Sequence, residues 1–227
     1  MASTAAVEAA SDSNGAAERD ALIARGISKR YGRRQVLQDI SFELAAGSLV
    51  GIVGENGAGK STLLRILAGE LRPSAGEVSL NGALGYCPQA PVLNDALTVA
   101  QHLDYFRAAY HLADERWATE LVQRLGYERY CATPVRALSG GSKQKLNLTI
   151  ALMRDPAVLL LDEPYQGFDW ETYLRFWDLA SELRQRGRAV LIISHLVYDR
   201  SRFDKLYSLA NGRLQLAPAQ ADARIEA

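Results

Sequence analysis

The chain has 227 residues and balances 26 Lys and Arg against 26 Asp and Glu, so it carries no global positive field of the kind that draws a protein to nucleic acid. Its two cysteines, Cys87 and Cys131, form no CxxC, and its three histidines show no metal-ligand spacing. That excludes a disulfide framework and a zinc site and makes a reduced, cytosolic setting the default. The longest apolar runs, "AVLLL" and "AVLII", are strand-sized and far short of the roughly 20 residues that span a bilayer.

Residues 1–20 are small, polar and alanine-rich, without the basic and apolar regions of a secretory signal. They read as a disordered tail, and the ordered chain is expected to start near Ala21 and run to 227. "GISKRYG" and "ISFEL" (Ile40 to Leu44) read as short β segments. Lys29, Arg30, Arg33 and Arg34, and further on Arg184, Arg186 and Arg188, read as solvated faces. Tyr31 is either an exposed aromatic or a platform for a base, since stacking needs no specific edge hydrogen bond.

"SLVGIVG" (Ser48 to Gly54) is a buried strand running into a glycine loop. The run Gly54, Glu55, Asn56, Gly57, Ala58, Gly59, Lys60, Ser61 matches GxxxxGK[ST] in full, and Thr62 follows. Backbone N–H groups and a helix N-terminus make such a loop an anion cradle. Lys60 is expected to reach the β- and γ-phosphates, and the Ser61 hydroxyl to bind Mg²⁺. The helix from Lys60 turns Leu63, Leu64, Ile66 and Leu67 to the core, with Gly69 as its C′ residue. "GEVSLNG" and "ALGYCPQ" read as strands again. Gln89 can contact Mg²⁺ and water, although residue type alone favours a turn residue after Pro88.

The middle third is helical, an insertion between about Pro91 and Val135 that reaches about residue 155 once the next helix is included. Thr98 and Gln101 form a capping box ahead of Val99, Leu103, Phe106 and Tyr110. Asp114 can cap a helix bearing Trp117, Leu121 and Leu125. Ser139, in "LSGGSKQK" with Gly140 and Gly141, can cap a helix reaching toward Pro156. "AVLLLDEP" is apolar on both faces, as a central parallel strand must be. It delivers Asp162 to the carboxyl edge of the sheet, where a carboxylate can hold Mg²⁺ through its waters. Glu163, one residue on, is free to polarise a water. Asp169 can cap a helix ending near Gly187. "RAVLIISH" is a buried strand ending in His195, a position that is usually structural but here lies within reach of a γ-phosphate. "YSLANGRLQL" reads as a hairpin with Asn211 and Gly212 in its turn. The sum is an α/β chain, mainly a parallel sheet core with a small antiparallel part and an inserted helical part.

In order, Tyr31, "GENGAGKST", Gln89, "LSGGSKQK", "LLLDEP", Asp169 and His195 resemble the ATP-binding subunit of ABC transporters, nearest to the exporter-type subunits for drugs, peptides or polysaccharides. The resemblance runs from about Ala21 to the C-terminal hairpin. It implies a P-loop NTPase of the ABC type that hydrolyses ATP with Mg²⁺, and a head-to-tail dimer with a second copy or a homologous subunit. Ser139, Gly140 and Gly141 of one copy would meet the γ-phosphate held by Lys60 of the other. It further implies that Tyr31 stacks on adenine, Glu163 is the general base, Gln89 links the site to a membrane partner, and His195 is the switch histidine. The partner implied is an integral membrane permease, which would hold the chain at the cytoplasmic face of the membrane. Soluble ABC-type switches share the motifs, and a non-hydrolysing relative is the other alternative. Three departures stand out. Ser142 replaces the usual glutamine after LSGG, the loop after Asp162 reads "YQGFD", and the stretch from Ser61 to Gln89 is short, which predicts a trimmed antiparallel part.

Overall fold

The computed structural model describes residues 20–195 and 199–217. The segment expected to be a disordered tail therefore lies, apart from Asp20, outside the described residues. Two sheets organise the rest. The first is antiparallel, with β1 (Asp20–Tyr31) between β2 (Arg34–Ala45) and β4 (Ala75–Leu80). β1 and β2 are each 12 residues long, much longer than the pieces legible in the sequence. Their register shifts between Ala24 and Ile27 and again before Lys29, and Gly26 and Asp39 take positive φ of 61° and 49°. Those bulges break the period-two pattern into fragments.

The second sheet has the order β5-β6-β7-β3-β8-β9. β5 (Leu84–Cys87), β6 (Val158–Asp162), β7 (Ala189–Ser194), β3 (Leu49–Val53) and β8 (Lys205–Ala210) are parallel neighbours. β9 (Arg213–Leu216) closes the edge as an antiparallel hairpin whose turn residues, Asn211 and Gly212, have φ of 50° and 74°, as a tight hairpin turn demands. Only three residues, Asn81, Gly82 and Ala83, join the end of β4 to β5, so the antiparallel sheet stops at three strands.

Alternation along β6 and β7 sorts two cores. Leu159, Leu161, Val190 and Ile192 face a helical layer, whereas Val158, Leu160, Leu191 and Ile193 face α1 (Lys60–Leu67) and the antiparallel sheet. Each fully buried aliphatic of this kind contributes about 1.5–3 kcal/mol, which fixes both strands in the middle of the molecule. The helical layer comprises α2 (Val99–Ala109), α3 (Arg116–Arg124), α4 (Gly140–Leu152) and α5 (Trp170–Gln185). The Thr98–Gln101 capping box is present in both directions. Asp114 does not cap α3: Glu115 occupies the cap position, and the Asp114 carboxylate accepts from the Arg116 N–H at 3.1 Å in a local turn. α4 is buried on almost every side, so it shows no amphipathic stripe and could be read from sequence only through its cap, Ser139.

Arg30, Arg33 and Arg34 are exposed, as expected, but the group Arg184, Arg186 and Arg188 is not simply solvated. Arg184 pairs with Asp204 and Arg188 with Asp155, while the Arg186 guanidinium lies 4.9 Å from the Trp117 ring centroid. Each charge finds an acid or an aromatic face on a neighbouring element. No described helix is long and apolar enough to cross a membrane.

Candidate functional site: a phosphate-loop cleft and a detached signature

The glycine loop leaves β3 at the carboxyl edge of the parallel sheet. A Cβ on Gly54 would stand 2.4 Å from the Leu209 carbonyl oxygen, so the loop passes β8 too closely for any side chain. Gly57 and Gly59, at φ of 82° and 106°, turn the chain into α1. The Lys60 ammonium lies back across this loop and donates to the carbonyls of Gly54 at 2.6 Å and Glu55 at 3.0 Å.

Asn56, Gly57, Gly59, Lys60, Ser61 and Thr62 line a cleft of about 460 Å³ together with Tyr31, Gln89, Asp162 and Glu163. Gly54, Glu55 and Ala58 face a neighbouring groove beside the β8–β9 hairpin instead. Arg34 and Val36 also line the phosphate-loop cleft, and neither stood out as a site residue in the sequence. The signal was present in Tyr31-Gly32-Arg33-Arg34: a two-residue turn places Arg34 directly opposite Tyr31, and the strands pair that way. The Tyr31 ring is half exposed, with the Lys29 ammonium 5.3 Å from its centroid.

Asp162 ends β6 and is buried. Burial pushes its carboxyl above the usual range, a hydrogen bond from Ser61 opposes that, and the charge of Glu163 adds to it. Ser61 and Asp162 are hard oxygen donors side by side. Among the described residues no group of three or more His, Cys, Asp or Glu is placed to hold a metal ion by itself. This donor set fits Mg²⁺, which takes one or two protein oxygens and completes its shell with water and phosphate.

Glu163 is not the free carboxylate that the sequence suggested. Its φ of 48° turns the side chain back over the end of β7. There Oε1 accepts from the His195 backbone N–H at 2.7 Å and lies 2.8 Å from His195 Nδ1, and Oε2 accepts from the Ser194 hydroxyl at 3.1 Å. His195 reaches the cleft only through Glu163: its own side chain is half exposed, whereas that of Glu163 is 7 % exposed.

The remaining candidates lie elsewhere. Ser139, Gly141 and Asp169 line a second cleft, and Gly140 and Gly141 border a groove that contains Gln89, Gln166 and Gly167. Gln89 alone among the candidates lines both this groove and the phosphate-loop cleft. Ser139 caps α4 by accepting from the Ser142 N–H at 3.2 Å. Asp169 caps α5 by accepting from the Thr172 N–H at 2.8 Å, and that bond holds its carboxyl below the usual range. The unusual loop has a use here: Gly167, at φ of 77°, seats its carbonyl 2.2 Å from where a Gly141 Cβ would be, so "YQGFD" and "LSGG" interlock through two glycines.

A parallel sheet presenting a complete phosphate loop after β3, with a carboxylate at the end of β6 and a second glycine-rich helix start, defines an ATP-binding cassette. Residues 37–166 match the ABC transporter family, and the chain belongs to it, as an ATP-binding subunit with ATPase activity. It is 34% identical over 217 residues to Nod factor export ATP-binding protein I of Rhizobium johnstonii, covering 88% of this chain and 70% of that one. It is 35% identical over 201 residues to human ATP-binding cassette sub-family A member 9, covering 83% of this chain but only 12% of that protein. A solved ATP binding subunit of an ABC transporter superposes with a TM-score of 0.81 at 29% identity, covering 87% of this chain and 90% of that one. A dimeric bacterial ABC transporter cassette shares the fold with a TM-score of 0.79 at 22% identity, over 88% and 99% of the two chains.

Proposed function

We propose that two copies of this chain, or one copy and a homologous subunit, close head to tail on two ATP molecules and drive a separate membrane permease, with export as the direction. The observation that carries this reading is the division of the site. The phosphate loop and Ser139-Gly140-Gly141 line different clefts of one chain, so the signature is open to a nucleotide held by a second copy. The first turn of α4 adds backbone N–H groups and the positive end of a helix, both suited to a γ-phosphate. Export is supported by the related Nod factor export ATP-binding protein. The permease would hold the chain at the cytoplasmic face of the membrane. Residues 91–155 would form a helical subdomain inserted in a nucleotide-binding core.

Within the cleft, Tyr31 stacks on the adenine. Lys60 exchanges the carbonyls of Gly54 and Glu55 for phosphate oxygens. Ser61 and Asp162 would hold Mg²⁺, with Gln89 in the same cleft, and the ion would supply charge neutralisation for the transferring phosphoryl group. Glu163 takes the proton of the attacking water on its carboxylate, oriented by His195 and Ser194. The products are ADP and phosphate, and release of the γ-phosphate removes what joined the two copies.

The test is the mass of Glu163→Gln in solution with and without Mg-ATP, by light scattering, alongside phosphate release by the wild type. The expected result is a monomer-to-dimer shift with ATP that Ser139→Arg abolishes. A Glu163→Gln chain that binds ATP and stays monomeric, alone and with its co-purified membrane protein, would sink the shared site.

A further inference from the structure

The helix that begins with the signature carries buried amides that nucleotide chemistry does not use. Asn147 is 7 % exposed. Its Nδ2 donates to the Pro88 carbonyl at 2.8 Å and lies 3.2 Å from Cys87 Sγ and 3.4 Å from Gln144 Oε1. Gln144 is buried beside it and donates to the Glu163 carbonyl at 3.4 Å. The parallel pairing of β5 with β6 ends at Cys87. Pro88 has no N–H, so its carbonyl is its only backbone hydrogen-bonding group, and Asn147 engages it. Burial pushes the Cys87 thiol up, so the sulfur beside the amide is neutral. The next residue is Gln89, which lines both the ATP cleft and the groove beside Gly140 and Gly141. A buried amide that loses its partner keeps its full desolvation cost, so separating α4 from this turn is penalised by more than lost packing.

We propose that Asn147 is a positioning residue for Gln89: it ties the Pro88–Gln89 turn to the helix whose first turn carries Ser139 and Gly140, so that the signature and Gln89 move as one piece. The proposal rests on the shared-site reading above for its effect on turnover. The tether itself does not depend on that reading. Gln144 extends the same hydrogen-bonded patch to the backbone of Glu163, so α4 touches the turn bearing the proposed base as well as the turn bearing Gln89.

Thr149, on the same helix, supplies the control. It is fully buried, donates to the Lys145 carbonyl at 2.9 Å and accepts from the Tyr127 hydroxyl at 2.7 Å, and its side chain makes no hydrogen bond to β5 or the turn after it. The experiment compares the full chain with Asn147→Ala, Asn147→Leu (which keeps the branched shape without the amide) and Thr149→Val. It measures melting temperature, steady-state ATP hydrolysis, and hydrogen exchange of the peptide over residues 87–93. Both Asn147 variants should speed exchange in that peptide and lower kcat on the order of tenfold with KM unchanged, a modest fraction of what misplacing a reacting group can cost. Thr149→Val should lower the melting temperature without either effect. The proposal is overturned if exchange over 87–93 is unmoved in both Asn147 variants, or if kcat falls in all three variants in step with melting temperature. Exchange that quickens while kcat holds overturns it too. A wild type that releases no phosphate would refute the hydrolytic reading instead, and the exchange comparison would then decide the tether by itself.

Discussion

Glu163 Oε1 sits 2.7 Å from the backbone nitrogen and 2.8 Å from the ring Nδ1 of His195, so one carboxylate oxygen is held twice by the residue that ends the neighbouring strand. The pairing follows from topology. β6 and β7 are adjacent and parallel, with Asp162 opposite Ile193, and the positive φ of Glu163 folds its side chain across the one-residue gap to His195. Carboxylate and histidine are therefore one unit. Glu163→Gln should lower kcat by a factor on the order of 10²–10⁴ while ATP stays bound. His195→Ala removes the Nδ1 contact but keeps the backbone one, so its loss should be smaller, and the double variant should fall no further than Glu163→Gln alone. Single-turnover phosphate release measures all three. Additive losses would mean that the two residues act separately.

How far this arrangement was legible in the sequence differs between its parts. The buried strands and the glycine loop were plain, because "SLVGIVG", "AVLLLDEP" and "RAVLIISH" are apolar on both faces, and the first runs into a glycine loop while the other two end in polar residues at the same sheet edge. Caps at Thr98, Ser139 and Asp169 were equally plain, because each is a local contact. The long β1–β2 hairpin was obscured by bulges, and with it the place of Arg34 in the cleft. The restraint of Glu163 was invisible, since it depends on a backbone angle and on a contact 32 residues away. So was the Asn147 contact to Pro88, 59 residues off, which no local pattern announces.

The two glycines of the signature should separate by experiment. A Cβ on Gly141 would lie 2.2 Å from the Gly167 carbonyl oxygen, while one on Gly140 meets nothing within 4 Å. Gly141→Ala should therefore destabilise the chain itself by about 1–3 kcal/mol, as overpacking does. Gly140→Ala should hold or slightly raise the melting temperature, alanine being the better helix former, yet impair ATP-driven dimerisation in the Glu163→Gln background. Thermal melts and light scattering read the two effects. A Gly140→Ala chain that dimerises as well as its parent would mean that no phosphate comes close to this backbone.

Tyr31 tests the base end of the cleft. It is exposed at the end of β1 and lines the cleft with Lys60. Loss of a base-stacking ring costs about 1–3 kcal/mol, so Tyr31→Ala should weaken ATP binding on the order of 5- to 100-fold, and Tyr31→Trp should restore it. Binding of inorganic tripolyphosphate, measured by calorimetry, should be unchanged in both variants because it has no base. An equal loss for ATP and tripolyphosphate would remove Tyr31 from base recognition.

Asp162 makes stability depend on pH in a direction opposite to that of a paired surface acid. Burial raises its folded pKa above the usual carboxylate range, with the Glu163 charge adding and the Ser61 hydrogen bond and Lys60 opposing. Between the unfolded value and the raised one, the folded chain holds a proton that the unfolded chain has released. The stabilising share of Asp162 is thus present at acid pH and is lost as pH rises through that window; at neutral pH its ionised form is a standing penalty without a cation. Asp162→Asn, which cannot ionise, should melt higher than the wild type at neutral pH in a chelator, by about 2–4 °C for each kcal/mol relieved. The gap should close as pH falls below the usual carboxylate range. Mg-ATP should reverse the order, stabilising the wild type more than the variant, because the ion brings the countercharge that the buried carboxylate lacks. An asparagine variant that melts lower at every pH would show that the contact with Ser61, rather than the buried charge, governs this corner of the cleft.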